Sequence, residues 1–588
     1  MHLESPVAPS FSDFKNRWTA PIFLILLFLA CAYFTFATSI DPLHDAGMQL
    51  YLPWQISKGA ILYKDIAWLY GPLSQYLHAL LFYLWGPSVH LLLAVNLGLF
   101  AVFCTLLYYF FQKQFDALTA TIAVLCLYVV AGFAALTEVG NFNFLFPYAH
   151  EATHGLILLV VATLVMAKPF GAEISGIHAA KLAFVVFCLA LAWCTKVEIA
   201  ITSAALLSLM FVTFIVRKQY AWAFRLMALT LCFAALLALA WRVLLGHEFM
   251  WDGVFGSVAP LFQGGRSFIV NRLAFDAVEI SWLSAAHAVS QAAILVVTLV
   301  VLALLDWICS QRQQLKLWVL FLWLLCLAGA FSSLSPFFWF ELLKGVPFLF
   351  LLLWGLLIFR KDISFFAVVW LVLSLGLAAR LGFQFRVQHY GFYMSIPMLL
   401  GMIMILLHHL PHLAARCWRG GFILRYGALT FLLAGFSILA VVSSTVVSAR
   451  TYVYGQGVNS IHILDPQFSF ESRVLVDSSA SIQALEKNAQ TLLVLPSGTG
   501  LNYFLGILNP TQFPWFSEEL RELGFQEPFL RAFQSKMPDW LLLLKAPEVH
   551  TWPKWYELLE PLVAAHYSEV RHWEAGGVVG ARLFVRRD

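Results

Sequence analysis

Thirteen apolar runs fall near residues 21–39, 88–111, 117–136, 151–167, 181–195, 198–216, 222–245, 286–306, 316–334, 343–359, 363–381, 390–408 and 424–446. A helix of about 20 apolar residues crosses the hydrocarbon of a bilayer, where every backbone N–H and C=O must be bonded within the segment. A chain with this many such runs is read as a polytopic α-helical membrane protein. The composition agrees: of 588 residues, 61% are hydrophobic and 12% charged, with mean hydropathy +0.81. Soluble chains carry about twice that share of charge. Net charge is only +4 and no long Lys/Arg cluster occurs, so no nucleic-acid partner is expected.

Orientation follows from the placement of Lys and Arg. With the N-terminus inside, the inner segments hold fifteen of these residues and the outer loops nine. Odd parity then puts the C-terminal tail outside. The first run continues past Cys31, which fits an uncleaved signal-anchor. The nine cysteines all lie at or before position 417, so the tail holds no internal disulfide, and no His/Cys spacing suggests zinc. The chain divides into a membrane part, 1–446, with a first outer loop at 40–87, and a tail, 447–588. The tail is long enough for a small extracytoplasmic α/β domain, with strand-like runs at Thr491–Pro496, Asp539–Leu544 and Gly580–Arg587. A helical pattern lies at Ser517–Phe525, and "SGTG" (Ser497–Gly500) reads as a tight strand-to-helix turn rather than a phosphate loop.

Ionisable residues beside a bilayer default to function or to a paired structural role. Here they gather on the outer side. Asp41, Asp45 and Asp65 lie in the first loop, and Glu138, His150 and Glu151 in the second. Arg266, Lys344, Arg380 and Arg386 lie in later loops, and "TKVE" (Thr195–Glu198) sits at a turn between two short runs. Carboxylates take a proton from a hydroxyl, arginine and lysine hold phosphate, and Trp and Tyr lie against sugar faces or headgroups. A lipid-phosphate-sugar uses all three. Each aromatic taken alone fits an interfacial belt equally well, and Lys196 with Glu198 fits a paired turn as readily as a site.

The block from Asp41 to Ser88 resembles the first outer loop of GT-C fold glycosyltransferases. The kinship is with the family 39 group of protein mannosyltransferases and aminoarabinose transferases. The matching positions are Asp45, Gly59, Tyr63, Asp65, Gly71, Pro72, Leu73 and Tyr76, with "FPYAHEATHG" and "TKVE" adding support. The resemblance implies inverting transfer of a sugar from a polyprenyl-phosphate donor to a lipid, glycan or protein acceptor, at the outer face of a bacterial inner membrane. It makes Asp45 or Asp41 the catalytic base and puts Glu138, Glu151, His150 or Asp65 at a second acidic or acceptor position. It gives the donor phosphate to Arg380, Arg386, Lys344 or Arg266. A divalent metal ion is optional in such chemistry, and no metal ligand is assigned. Two other readings stand beside it: a flippase of lipid-linked saccharide, and a non-catalytic assembly partner.

Overall fold

The computed structural model describes residues 18–137, 143–167, 176–259, 282–358, 365–381, 385, 387, 392–485, 490–545 and 551–587. Among them, eight helical segments are long and apolar enough to cross a membrane, and five shorter apolar helices accompany them. Each of the thirteen apolar runs coincides with one of these. The elements that position the site are α1 (Thr19–Thr35), α2 (Asp45–Ser57), α3 (Leu73–Trp85), α4 (Val89–Gln114), α5 (Ala117–Leu127), α6 (His150–Met166), α7 (Gly176–Trp193), α8 (Val197–Val216) and α9 (Tyr220–Leu245). They are followed by α10 (Trp282–Gln311), α11 (Lys316–Ser333), α12 (Val346–Ile358), α13 (Phe365–Ala378), α14 (Ile396–Met404) and α15 (Phe422–Ser448).

The surface of the bundle is apolar where a water-soluble protein would be polar. Leu231, Leu239 and Val243 on α9 and Leu317, Trp318 and Leu322 on α11 are all exposed. Their solvent is lipid, so the exposure costs nothing and the interior is free to hold polar groups. Helix α3 shows the inversion most clearly. Leu80, Tyr83, Leu84 and Trp85 face outward, while Ser74, Gln75 and His78 are buried. Of the first outer loop, read as ordered but without assigned elements, 26 residues lie in two helices of 13 each, α2 and α3.

Beyond α15, a short antiparallel pair, β1 (Tyr452–Tyr454) and β2 (Ile461–Ile463), bonds back to the end of α1 through His462 N–H to the Ala37 carbonyl, 2.9 Å. Helix α16 (Phe470–Leu485) follows. A four-stranded sheet then has the order β3 (Leu492–Leu495), β4 (Trp540–Leu544), β6 (Val578–Arg586), β5 (Tyr567–Ala575). β3 and β4 are parallel and the other pairs antiparallel. The three strand-like runs correspond to β3, β4 and β6. The charged edge strand β5 is new to the structure. It joins β6 through Gly576 and Gly577, both at positive φ, the backbone that a two-residue hairpin loop demands. The Ser517–Phe525 pattern holds a three-residue helix, Glu518–Leu520, and then kinks at Gly524.

This sheet region packs on the first loop through close backbone contact. After β3 the chain turns at Gly498 into α17 (Thr499–Leu505), as the "SGTG" reading expected. There Gly500 meets Gly47 of α2. A Cβ on Gly47 would lie 2.4 Å from the Gly500 nitrogen, and one on Gly500 would lie 2.3 Å from the Pro42 oxygen. Around this contact Ser497 Oγ donates to the Leu43 carbonyl at 3.2 Å, the Asn509 N–H to Tyr51 Oη at 2.9 Å, and the Ala67 N–H to the Gln512 carbonyl at 2.7 Å. Trp54 meets Tyr503 and Trp68 meets Trp515 edge-on. Overpacking so tight a contact costs about 1–3 kcal/mol. Gly500→Val is therefore expected to loosen residues 452–587 from the first loop, read as faster proteolysis of that region in detergent-solubilised protein. Unchanged cleavage would show that the glycine contact does not hold the two parts together.

Candidate functional site

Asp45 is the first residue of α2, and Gln49, one helical turn on, shares its face. Gln49 is fully buried and opens a polar network inside the bundle. Gln75 Nε2 donates to Gln49 Oε1 at 3.0 Å and to Glu151 Oε1 at 2.9 Å. His150 Nδ1 lies 3.0 Å from Gln49 Oε1, and its Nε2 lies 2.9 Å from Asn96 Nδ2. Because an amide oxygen only accepts and an amide nitrogen only donates, His150 donates from Nδ1 and accepts at Nε2, which is the neutral tautomer. Asn96 also donates to the Leu145 carbonyl at 2.8 Å, and His154 Nδ1 meets Ser74 Oγ at 3.0 Å. The His78 ring stands edge-on to His150, 4.3 Å between centroids. The network ties α2, α3, α4 and α6 together at one end of the bundle.

From Gln49 the site continues to a buried lysine. Gln49 Nε2 donates to the Tyr148 carbonyl at 3.4 Å, and the Tyr148 hydroxyl accepts from Lys196 Nζ. Lys196 has no exposed surface. Its ammonium lies 4.3 Å from the centroid of the Tyr148 ring and 4.9 Å from that of Tyr70, and 3.5 Å from Glu198 Oε1. The same oxygen lies 3.5 Å from Arg380 Nε. Two cations thus flank one carboxylate in a nearly dry pocket. Three elements are pressed together to build it. The Gly71 N–H donates to the Thr195 carbonyl at 2.6 Å, and a Cβ there would strike the Cys194 oxygen at 2.2 Å. A Cβ on Gly155 of α6 would lie 2.5 Å from Thr195 Oγ1. The Gly-Pro turn at Gly71 thereby sets Tyr70 over Lys196.

The other residues singled out in the sequence divide. His150, Glu151 and Arg380 join the network or the cation pair, and Asp45 stands one turn from Gln49. Asp41 faces His44 Nδ1 at 3.0 Å. Asp65 is exposed and closes a tight turn, its Oδ2 accepting from the Ile61 N–H at 2.8 Å. Lys344 is held apart by Glu341, 2.5 Å away, which also meets His287 at 2.6 Å. Glu138, Arg266 and Arg386 lie outside the described residues. Gln49, Gln75, His78 and Asn96 join the site without having been singled out for it, and Tyr148 joins from the second-loop segment that had been. Among the described residues no three His, Cys, Asp or Glu side chains are grouped to hold a metal ion, so none is assigned to one.

A second opening lies inside the helices. A groove of about 1110 Å³, its open side included, runs between α5, α10, α12, α14 and α15, lined by residues such as Leu299, Leu343, Val346, Phe392, Met402 and Phe436. Its wall is apolar apart from Thr298 and the Trp339 ring nitrogen. Phe392 lines this groove, and the next residue, Tyr393, faces Tyr148 at 6.0 Å between ring centroids. Consecutive residues thus belong to the groove wall and to the aromatic wall of the cation pocket.

No family model matches the chain, and no curated protein does. Solved structures do show a likeness. The archaeal oligosaccharyltransferase AglB from Archaeoglobus fulgidus, in complex with an inhibitory peptide and a dolichol-phosphate, is 13% identical with a TM-score of 0.49, over 98% of this chain and 75% of that one. ArnT from Cupriavidus metallidurans, bound to undecaprenyl phosphate, is 13% identical with a TM-score of 0.44, over 97% of this chain and 98% of that one. At such identities and scores the reading of the site rests on its own geometry.

The Asp41–His44 pair gives a pH test. Burial alone would lower the His44 imidazole, but Asp41, helped by Asp45 and Glu471, lifts it from 6.5 to about 9. Burial raises Asp41, and the His44 and Arg450 charges more than reverse this, leaving it below the usual carboxylate range. A raised histidine stabilises fully below its unfolded value and loses that contribution as pH climbs through its folded one. The advantage of the wild type over His44→Gln in thermal stability is therefore expected to be largest at pH 5 to 6 and to shrink steadily as pH rises through about 9. A constant difference across that range would show that folding does not raise the imidazole.

Proposed function

We propose that this protein transfers a sugar from a polyprenyl-phosphate donor to an acceptor hydroxyl, at the outer face of a bacterial cytoplasmic membrane. The observation that carries the reading is the adjacency of three unlike features. An apolar groove suits a prenyl chain, a buried lysine and arginine suit its phosphate, and a partly exposed aspartate stands one helical turn from the network that joins them. Groove and cations are linked through the consecutive residues Phe392 and Tyr393, and cations and aspartate through Tyr148 and Gln49. A polyprenyl phosphate is already an activated leaving group. The protein then has to hold the phosphate, place the acceptor hydroxyl and remove its proton.

In this reading Asp45 is the general base. Lys196 and Arg380 neutralise the charge that grows on the departing phosphate. Glu198 holds the two cations in place before the donor arrives. Tyr70, Tyr148 and Tyr393 exclude water around them, which strengthens the attraction. Lys344 borders the groove through its neighbours Leu343 and Val346 and takes a place at the groove's rim, paired with Glu341. A divalent ion is not needed for any of these roles.

The test is transfer from a panel of radiolabelled polyprenyl-phosphate sugars into membrane extract. Asp45→Asn is expected to lower turnover about 100-fold or more while donor binding persists. Wild-type rate in that variant would remove Asp45 as the base. Lys196→Met leaves Glu198 buried without one of its cations, so it is paired with the double variant Lys196→Met/Glu198→Gln, which leaves the net charge of the pocket unchanged. Both are expected to weaken polyprenyl-phosphate binding about tenfold or more. Unchanged affinity in the folded double variant would take the phosphate away from this pocket.

A further inference from the structure

One pocket remains that neither the cation pair nor the groove uses. It reaches His44, the residue before Asp45, and two separate parts of the chain build it. The first loop supplies Ile40, Asp41, Leu43 and His44, the segment leaving α15 supplies Arg450, and the tail supplies Ile463, Ser469, Glu471, Ser472 and Leu475. It holds about 510 Å³ of empty space, its mouth included.

The chemistry of the wall is specific. Asp41 and Glu471 bring two negative charges, and His44 and Arg450 bring two positive ones, so the lining has no net charge. The four act on one another: Asp41 feels His44 and Arg450, and His44 feels Asp41, Asp45 and Glu471. Two serine hydroxyls stand among them, with Ser469 Oγ 3.4 Å from Glu471 Oε2. Ile40, Leu43, Ile463 and Leu475 supply apolar patches between the charges. An anion would meet two carboxylates here, and a cation would meet an arginine and an imidazolium. A neutral polyol meets charge-assisted donors and acceptors at once, with apolar patches for its C–H faces.

We propose that this pocket is the acceptor site and that it takes a carbohydrate, with Glu471 of the tail as a specificity-determining residue. The inference rests on the transferase reading above and adds to it the class of acceptor and the part of the chain that selects it. The wall residue His44 directly precedes Asp45, so a sugar held here presents a hydroxyl at the entrance to α2. The tail then has a function besides covering the first loop. It completes a pocket of which the membrane part forms only one side.

The experiment uses the full-length protein in detergent and a panel of free mono- and disaccharides at tens of millimolar, with binding read by saturation-transfer NMR. At least one sugar is expected to bind the wild type and to lose affinity about tenfold in Glu471→Gln, with partial recovery in Glu471→Asp. Polyprenyl-phosphate binding should not change in either variant. In the transfer assay the same substitution should raise the KM for acceptor and leave kcat within about twofold. No sugar binding to the wild type, or equal affinity in Glu471→Gln, overturns the proposal. So does a fall in kcat at constant KM, which would make Glu471 a positioning residue for Asp45. Sugar binding that depends on Glu471 in a protein that transfers nothing would leave this pocket standing and sink the transferase reading alone.

Discussion

An ammonium group with no exposed surface, inside a bundle bathed in lipid, has to be met by protein on every side. Lys196 is met by a hydroxyl, a carboxylate and two aromatic faces, supplied by three elements: Tyr148 from the approach to α6, Glu198 from α8, Tyr70 from the first loop. These contacts are why the loop between α1 and α4 is folded down onto the α7–α8 turn. The close approaches at Gly71 and Gly155 are its steric signature, since any side chain at either position would push the turn away from the lysine. Burying such a pair is seldom a net gain in stability, because the desolvation of both charges offsets their attraction. A structure that goes to this length for a cation is one in which the cation has a use.

The same solvent logic explains the inside-out helices. Helix α3 carries Leu80 and Trp85 on its exposed face and turns Gln75 and His78 inward. Once inside, those groups must bond to one another. Gln49, Gln75, Glu151, His150 and Asn96 do so in a continuous chain, and α2 is fastened through it to α3 and to two membrane helices, α4 and α6. Asp45 inherits a fixed position from Gln49, although its own side chain is partly exposed. The proposed base is thus held by the rigid part of the molecule and reached from outside.

All thirteen apolar runs were legible because each is a single long signal that the bilayer length selects. The strands β3, β4 and β6 were legible as apolar runs bounded by turns. β5 was not, because "YSEVRHWEA" carries its charges on an exposed edge, and the Gly576–Gly577 hairpin was the clue to it. In the site, Asp45, Glu151, His150 and Arg380 stood out as ionisable residues near the bilayer. Gln49, Gln75, His78 and Asn96 did not, since an uncharged polar residue within an apolar helix looks the same in sequence whether it bonds to a network or only to its own turn. Asp65 and Lys344 stood out for the same reason as Asp45. A charge does not announce its partner, and these two are used locally, by the Ile61 N–H and by Glu341 three residues earlier.

The contact of Gly47 with Gly500 bears on how the two parts of the chain work together. A domain that merely hung from α15 would reach the site by diffusion within the limits of its linker, and its distance from Asp45 would fluctuate over many ångströms. Here backbone meets backbone two residues from Asp45, flanked by bonds at Leu43, Tyr51 and Ala67. Placement errors of about 1 Å cost a reaction about 100-fold when the reacting groups must be held in line. A base on one part and an acceptor wall on the other can meet that tolerance only if the parts dock without an intervening layer of side chains. Glycine on both sides removes that layer, so the docking of the tail and the geometry of the proposed reaction become one structural requirement.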